Sequence, residues 1–285
     1  MSSTHATLPA PLVSAQWLSE KIGTPGIVII DGSWYLPALK RDPHQEYLEG
    51  HIPGAVFFDL DAISSHATDL PHMMPEPTEF ASAMRKLGIS DGATIIVYDG
   101  LGLFSAPRIW WMLKAFGARD VHVLDGGLPA WKAANLPLED GDVIRAPSHF
   151  TARLDHSVLA SLGDVQRALA AHVQVLDARP AERFRGEVAE PRPGLRMGHI
   201  PGSKSLPFSA LLDNGRMKSP DQLNAVFAQA GIDGSKPVIT SCGSGVSAAI
   251  ITLALTVAGH KAGALYDGSW AEWGKADGPA IETGP

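Results

Sequence analysis

The only cysteine of the chain, Cys242, lies in a stretch whose residue types suit nucleophilic chemistry. A run that favours a β-strand, Val238 to Thr240, comes before it, and an apolar, helix-compatible segment, Ala248 to Val257, follows shortly after. A thiol at the N-terminal end of a helix faces unpaired backbone N–H groups and the positive end of the helix dipole. Because both stabilise an anion, we expect Cys242 to be a thiolate nucleophile.

Small residues make up the loop that follows the cysteine, and their glycines allow the backbone N–H groups to curl around one sulfur atom. A cysteine phosphatase has an arginine six residues after its cysteine, whereas this chain has Ala248 there. We therefore expect a substrate that leaves a group on sulfur rather than phosphate chemistry. The alternative is that the thiol is a buried small apolar residue. The predicted cradle for the sulfur consists of Gly243, Ser244, Gly245, Val246 and Ser247.

Length and composition indicate a globular protein of two domains. The chain has 285 residues, of which 45% are hydrophobic and 19% charged, and its formal net charge is −7. Because no block of Lys and Arg interrupts this acidic balance, we expect neither a nucleic-acid nor an anionic-membrane surface, although a local basic pocket is compatible with it. Apolar stretches are broken well before the roughly 18 residues that a membrane span needs.

The first eleven residues carry neither a basic segment nor an apolar one, so no signal peptide is predicted. One cysteine leaves no possible internal disulfide, which favours the reducing cytoplasm, with a mature organellar form as the open alternative. No Cys/His spacing indicates a metal site, and no cofactor is expected.

The two halves of the chain share a repeated pattern. Gly-His-Ile-Pro-Gly occurs at 50–54 and again at 198–202, each time after a strand-like run that ends in an aspartate, Asp31 or Asp177. The histidines of this motif are expected to have structural roles. Short Val/Ile-rich strands alternate with helix-length segments in both halves, which predicts βαβ units around a mostly parallel sheet.

Aligning the halves places Asp99 where the second half has Cys242. We therefore expect the second half to carry the chemistry and the first, catalytically inactive, to form a wall of the site. The predicted domains are residues 1–140 and 157–285. Residues 141–156, rich in Asp, Gly, Pro and Ser, are the predicted linker.

With its doubled motif, its inactive first half and its Cys-Gly-Ser-Gly-Val-Ser loop, nearly the whole chain resembles the two-domain rhodanese-type sulfurtransferases. The resemblance implies an α/β fold with two tandem rhodanese-like domains, each a mostly parallel five-stranded sheet flanked by helices. Thiosulfate enzymes of that superfamily typically carry Cys-Arg-Lys-Gly-Val-Thr, whereas 3-mercaptopyruvate enzymes carry Cys-Gly-Ser-Gly-Val-Thr. The loop here matches the latter, except that Ser247 replaces Thr and retains a hydroxyl.

Two arginines in the polar segment before the second motif, Arg183 and Arg192, suit a substrate with a carboxylate and a ketone. The resemblance implies that both bind substrate, since the thiosulfate branch tends to lose the second. The alternatives are that they are surface arginines in a solvated loop, or that they form ion pairs with Glu187 and Glu190. Arg179 is expected to be a structural ion-pair partner.

Three further residues have the types of a Ser-His-Asp relay: Ser244 in the loop, and Asp61 and His72 in the first half. The resemblance implies that such a trio assists proton transfer. An alternative of equal weight is that Asp61 caps a helix and His72 is an interface histidine.

Taken together, the resemblance implies transfer of sulfur from 3-mercaptopyruvate through a Cys242 persulfide, with release of pyruvate. The implied acceptors are small thiols, a thioredoxin-like protein or cyanide. Two alternatives stay open: a thiosulfate:cyanide sulfurtransferase, and a non-catalytic sulfur-carrier module.

Overall fold

The computed structural model of the chain describes residues 11–232 and 236–285. Residues 1–10, on which the prediction about a signal peptide mainly depends, lie outside them. In the described part, two five-stranded sheets form, and every pairing within each sheet is parallel. The predicted α/β fold class with two such sheets is confirmed.

The three central strands of the first sheet are Val/Ile-rich runs that are buried on both faces, as a parallel sheet covered by helices requires. Its strands are β1 (Leu12–Val13), β2 (Ile27–Asp31), β3 (Ala55–Phe57), β4 (Thr94–Tyr98) and β5 (Asp120–Leu124). Its helices are α1 (Ala15–Ser19), α2 (Pro43–Glu49), α3 (Leu60–Ile63), α4 (Pro77–Lys86), α5 (Ala106–Ala115) and α6 (Gly127–Ala133). The strand order is β1-β5-β4-β2-β3.

The second half repeats this architecture. Its strands are β6 (Leu159–Ala160), β7 (Val175–Asp177), β8 (Lys204–Ser205), β9 (Leu212–Asp213), β10 (Arg216–Met217), β11 (Ile239–Ser241) and β12 (Leu265–Tyr266). Its helices are α7 (Leu162–Ala170), α8 (Ala181–Phe184), α9 (Pro220–Gln229), α10 (Ala248–Val257) and α11 (Ser269–Trp273). The sheet order β6-β12-β11-β7-β8 corresponds strand by strand to that of the first sheet, while β9 and β10 form a separate antiparallel ribbon.

Strand register relates the two loops that follow the central strands. The last residue of β4 pairs with Asp31 of β2, and the last residue of β11 pairs with Asp177 of β7. Asp99 and Cys242 are therefore the first residues beyond equivalent strand ends. Helix α10 has the bounds that were predicted from the apolar run. The strand end and the small-residue loop that come before this run leave few other positions at which the helix could begin.

The repeated Gly-His-Ile-Pro-Gly motif has the same local structure in both halves. Nδ1 of His51 lies 2.8 Å from the carbonyl oxygen of Tyr47, and Nδ1 of His199 lies 2.8 Å from that of Phe184. Each imidazole also stacks on the aromatic ring of the same residue. These contacts fit the structural role that we expected of both histidines.

One apolar core joins the two domains. Helices α5 and α10 pack against each other, and residues 248–255 are buried without exception. Residues 141–155 form no helix or strand and bind to the first domain: the N–H of Asp91 donates to His149 O (2.9 Å), and that of Arg153 donates to Phe116 O (3.0 Å). The shared core holds loops of one domain against side chains of the other.

Candidate active site

The loop of Cys242 is held from its carbonyl side by the N-terminal turn of α11. Backbone N–H groups of Trp270 and Ala271 donate to the carbonyl oxygens of Cys242 and Gly243, both at 2.9 Å. The N–H of Cys242 donates to Ser269 Oγ at 3.2 Å. Cys242 itself is only 2% exposed. The thiol therefore lies in a fixed and largely desolvated position.

The equivalent loop of the first domain shows which kind of group this backbone binds. The carboxylate of Asp99 accepts hydrogen bonds of 2.7 to 3.0 Å from the backbone N–H groups of Leu101, Phe104, Ser105 and Ala106. In the second domain, the N–H groups of residues 243–247 donate to no acceptor among the described residues. They form a nest suited to an anion on the Cys242 sulfur.

Both predicted substrate arginines lie over this loop. A Cβ added to Gly243 would be 3.3 Å from Nη2 of Arg183 and 3.8 Å from Nη1 of Arg192. Nη2 of Arg192 also lies 3.3 Å from Ser244 Oγ. The structure thus brings two guanidinium groups together beside Cys242, and a glycine at 243 leaves space for them.

Glu190 orients the first of these arginines. It pairs with Arg183, as the ion-pair alternative anticipated, and accepts a second contact of 2.9 Å from Arg179. Arg179 is buried and also pairs with Asp177 at 2.6 Å, which agrees with its expected structural role. Within the described ranges, Arg192 has no carboxylate at ion-pairing distance, so its charge remains available to an anionic substrate.

Burial lowers the pKa of Arg192 from its ordinary value, and the neighbouring Arg183 acts in the same direction. Cys242 acts in the opposite direction, because a thiolate favours the charged guanidinium. Arginine nevertheless keeps its proton in proteins, since its ordinary pKa is above about 12. The result is a half-buried positive charge next to the sulfur, which favours an anionic ligand.

The proposed relay residues meet across the domain interface. Nδ1 of His72 lies 3.0 Å from Ser244 Oγ, and Nε2 lies 3.0 Å from Asp61 Oδ1. The second carboxylate oxygen of Asp61 accepts a 3.0 Å hydrogen bond from Nε1 of Trp34. Asp61 is not the cap of α3, since that cap is Asp59. His72 is buried at the interface and at the same time within reach of the serine.

The hydrogen bond with His72 lowers the pKa of Asp61 below its ordinary range, and contacts with Trp34 and Arg192 act in the same direction. Asp61 is therefore a carboxylate at neutral pH, and it can accept a hydrogen bond from Nε2–H of His72. In the tautomer with that Nε2–H, Nδ1 accepts a hydrogen bond from the hydroxyl of Ser244. Ser244, His72 and Asp61 thus form one continuous chain of hydrogen-bonding groups across the domain interface.

Sequence reasoning missed several residues that support the site. Trp34 orients Asp61, and the buried ion pair of Arg108 with Asp267 lies beside His72. Asp267 lies in the turn between β12 and α11. Nothing in the sequence pairs Arg108 with a residue 159 positions away.

The donors of the site suit a small organic anion. Among the described His, Cys, Asp and Glu side chains, no group of three or more is placed to hold a metal ion. Arg183 and Arg192 present forked N–H donors of the geometry that carboxylates bind. The thiol, the N–H nest and these two donors together suit covalent chemistry on an organic acid.

Comparison with known proteins gives the class first. The sequence profile described as "Rhodanese-like domain" matches residues 14–134 and 161–276. This chain is therefore a protein with two rhodanese-like domains. The match covers four of the five strands of each sheet and the loops of Asp99 and Cys242.

Relatives give the particular family. The 3-mercaptopyruvate sulfurtransferase of Escherichia coli is 49% identical to this chain, and the alignment covers 94% of this chain and 96% of that protein. The Homo sapiens enzyme of the same name is 42% identical, with 92% of this chain and 91% of that protein covered. The crystal structure of SseA from Escherichia coli superposes with a TM-score of 0.85 at 46% identity, covering 92% of this chain and 99% of SseA. The chain belongs to the 3-mercaptopyruvate sulfurtransferase family, a family of sulfurtransferase enzymes.

Proposed function

We propose that this enzyme takes sulfur from 3-mercaptopyruvate as a persulfide on Cys242 and releases pyruvate. The observation that carries the proposal is the meeting of Arg183 and Arg192 over Gly243, next to the buried thiol. The names of the relatives support the same donor. Both guanidinium groups would bind the carboxylate and ketone of the substrate and turn its sulfur towards Cys242.

The bond changes follow from this placement. The Cys242 thiolate attacks the sulfur of the substrate thiol, the carbon–sulfur bond breaks, and its electron pair passes to carbon as the enolate of pyruvate. The new persulfide S–H loses a proton, and the enolate carbon gains one. The step is therefore balanced without an external acid, and the pair of Ser244 and His72 would carry the proton.

Once formed, the persulfide anion would be held by the N–H nest of residues 243–247 until an acceptor removes the outer sulfur. Acceptors proposed from the family resemblance are small thiols, a thioredoxin-like dithiol protein and cyanide. Each supplies a nucleophile that attacks the outer sulfur and regenerates the thiolate, so the reaction order is ping-pong.

The cytoplasm is the proposed location. In the ranges that the structure describes, no helix combines the length and apolar character that a bilayer crossing demands. The single thiol, with no partner for an internal disulfide, supports a reducing compartment.

The proposal is tested by pyruvate release with 3-mercaptopyruvate, compared with sulfite release from thiosulfate. Arg192→Ala should lower kcat/KM for 3-mercaptopyruvate by about 10- to 100-fold, since it removes a charged hydrogen-bond donor. Arg185→Ala is the matched control, because this nearby arginine pairs with exposed Glu187 instead. Unchanged activity in Arg192→Ala contradicts the substrate assignment.

The same assay separates the two alternatives. Faster turnover of thiosulfate than of 3-mercaptopyruvate indicates a thiosulfate:cyanide sulfurtransferase. Labelling of Cys242 at one sulfur per chain without turnover in the presence of a thiol acceptor indicates a sulfur-carrier module. The first outcome would mean that thiosulfate, and not 3-mercaptopyruvate, is the preferred sulfur donor. The second would mean that the protein does not pass the sulfur on to the acceptor.

A further inference from the structure

We propose that Arg108 is a positioning residue for this reaction: together with Asp267 it fixes the backbone that aims His72 at Ser244. The inference rests on the proposed function, because it assigns to His72 a part in moving the proton. It concerns a residue outside the thiol loop and the substrate arginines.

Arg108 lies in α5 of the first domain and is fully buried. Its Nη2 donates both to the carbonyl oxygen of His72 and, at 2.6 Å, to Oδ1 of Asp267 in the second domain. The other oxygen of Asp267 accepts the N–H of Met74 at 2.6 Å. Two consecutive peptide groups on the C-terminal side of His72 are thus held by one ion pair that spans the domain interface.

The backbone of His72 needs such support. Its φ is +60°, in the left-handed region that residues with a side chain rarely adopt. A strained conformation of this kind persists only where the surroundings over-determine it. Because the Cβ direction follows from φ and ψ, the bonds to these two peptide groups also set where the imidazole points. The ring is then packed edge-on against Trp34, with centroids 4.7 Å apart.

The equivalent helix of the second domain shows that helix packing alone does not require an arginine at position 108. Arg108 is the third residue of α5, and the third residue of α10 is the buried Ile250. A buried guanidinium is costly to desolvate; this one lies over the ring of Trp111, and its Nε and Nη1 have no hydrogen-bond partner in the described part of the chain. A Cβ on Gly245 would lie 2.8 Å from Nη1, so the same side chain also abuts the sulfur cradle. Its polar contacts with His72 and Asp267 account for a charge at this position.

A second ion pair between the two domains provides a control for the pair of Arg108 and Asp267. Asp125, in the turn equivalent to that of Asp267, accepts the N–H of Met217 at 2.9 Å. Its ion-pair partner is Arg216, half exposed and 3.7 Å away. This second pair also joins the two domains but contacts no residue of the relay. Arg216→Met therefore removes an interdomain arginine without touching the backbone of His72.

Two sulfur donors separate a positioning role from a purely structural one. With 3-mercaptopyruvate the leaving carbon must be protonated. With thiosulfate the thiolate attacks the outer sulfur, the sulfur–sulfur bond breaks, and sulfite leaves with the electron pair as a stable dianion, which needs no proton. Misplacing His72 should slow the first reaction and spare the second.

The test is the single-turnover rate of Cys242 persulfide formation with each donor, measured by rapid quench and intact mass. Arg108→Met should slow the reaction with 3-mercaptopyruvate by about 10- to 100-fold, as expected for a displaced catalytic group, and leave the rate with thiosulfate unchanged. Arg108→Lys should restore part of the loss, and Arg216→Met should affect neither donor. Equal slowing with both donors overturns the proposal, as does no slowing with 3-mercaptopyruvate.

A second readout does not depend on thiosulfate. Adding Arg108→Met to His72→Ala should not slow persulfide formation with 3-mercaptopyruvate beyond the rate of His72→Ala alone, because both residues act through the same imidazole. Additive losses in this rate overturn the proposal. Should the Met variant fold poorly with Asp267 unpaired, Arg108→Met with Asp267→Asn removes the buried carboxylate charge as well. A wild type that forms no persulfide from 3-mercaptopyruvate contradicts the proposed function itself, which distinguishes that failure from failure at Arg108.

Discussion

The groups around Cys242 that suit an anion are backbone N–H groups and arginines from another segment, since the loop residues Gly243 to Ser247 carry no charge. In the proposed reaction, the nucleophile and the substrate-binding groups thus come from different parts of the second domain. Ser244 joins them, because its hydroxyl lies within 3.3 Å of Arg192 and 3.0 Å of His72. At the scale of single residues, this hydroxyl is the point where the proposed substrate site and the proposed relay meet.

Replacing that hydroxyl should therefore slow the chemical step. We expect Ser244→Ala to lower kcat with 3-mercaptopyruvate by about 100-fold, within the range for loss of a proton-transfer group. Its urea unfolding midpoint should match that of the wild type, since the position stays buried and small. The measurement is steady-state pyruvate release; an unchanged kcat contradicts a role for the hydroxyl.

The lowered pKa of Asp61 has a consequence for stability against acid. The folded protein binds this proton less tightly than the unfolded chain, whose aspartates titrate near about 3.9. The contribution of Asp61 is thus complete above that pH and lost as pH falls through the lower folded pKa. We expect the difference in unfolding midpoint between wild type and Asp61→Asn to be constant from about pH 5 to 8 and to shrink near pH 3. Urea titrations of both proteins at each pH measure it; a difference that grows towards acid pH contradicts it.

At the scale of elements, one strand-loop-helix unit occurs twice with different centres. In the first domain the carboxylate of Asp99 satisfies four N–H groups permanently, and it stabilises the loop. In the second domain a thiol stands at the equivalent position, and it forms no such set of bonds within the described ranges. One copy of the unit is thus closed by its own side chain, and in the other we propose that the N–H groups hold an anion that forms during the reaction.

Stability should differ accordingly between the two positions. Asp99→Ala leaves several buried donors without an acceptor, so we expect a loss of about 3 kcal/mol in the free energy of unfolding. Cys242→Ala should cost about 1 kcal/mol or less, as expected for a small change in volume. Urea unfolding of the two variants gives the comparison, and equal losses contradict the difference between the loops.

Helices and strands were readily predicted from the sequence where the local pattern of apolar residues determines them. The apolar run after the thiol determined the bounds of α10, and the Val/Ile runs indicated the central strands. Arg183 and Arg192 were identified through a motif resemblance, not through any local rule. The alternative pairing of Arg183 also occurs, because Glu190 both binds and orients it.

At the scale of the whole molecule, the site depends on contacts that no local pattern predicts. Ser244 and His72 are 172 residues apart, and their meeting depends on the packing of α5 against α10. The sequence therefore left the relay and a simple interface histidine equally weighted. The boundaries at 140 and 157 stay a prediction. Inactivity of the first domain also stays a prediction, supported by the carboxylate at Asp99.

Exposed contacts between the domains should matter far less than the buried ones. Lys275 pairs with Asp69 across the interface at 2.9 Å, and both side chains are exposed. We expect Lys275→Ala to change the free energy of unfolding by less than about 1 kcal/mol, as is usual for surface ion pairs. Thermal unfolding checks this, and a larger loss would indicate that the pair is needed to hold the domains together.

The central claim is that Cys242 carries the sulfur of 3-mercaptopyruvate as a persulfide, and intact-mass analysis after a single turnover tests it most directly. Reduced wild-type protein incubated with the donor in the absence of an acceptor should gain about 32 Da, the mass of one sulfur atom. It should release one pyruvate per chain and lose the added mass on exposure to a thiol. Cys242→Ser should show neither change. Pyruvate release without the mass gain, or a mass gain that persists in Cys242→Ser, contradicts the account.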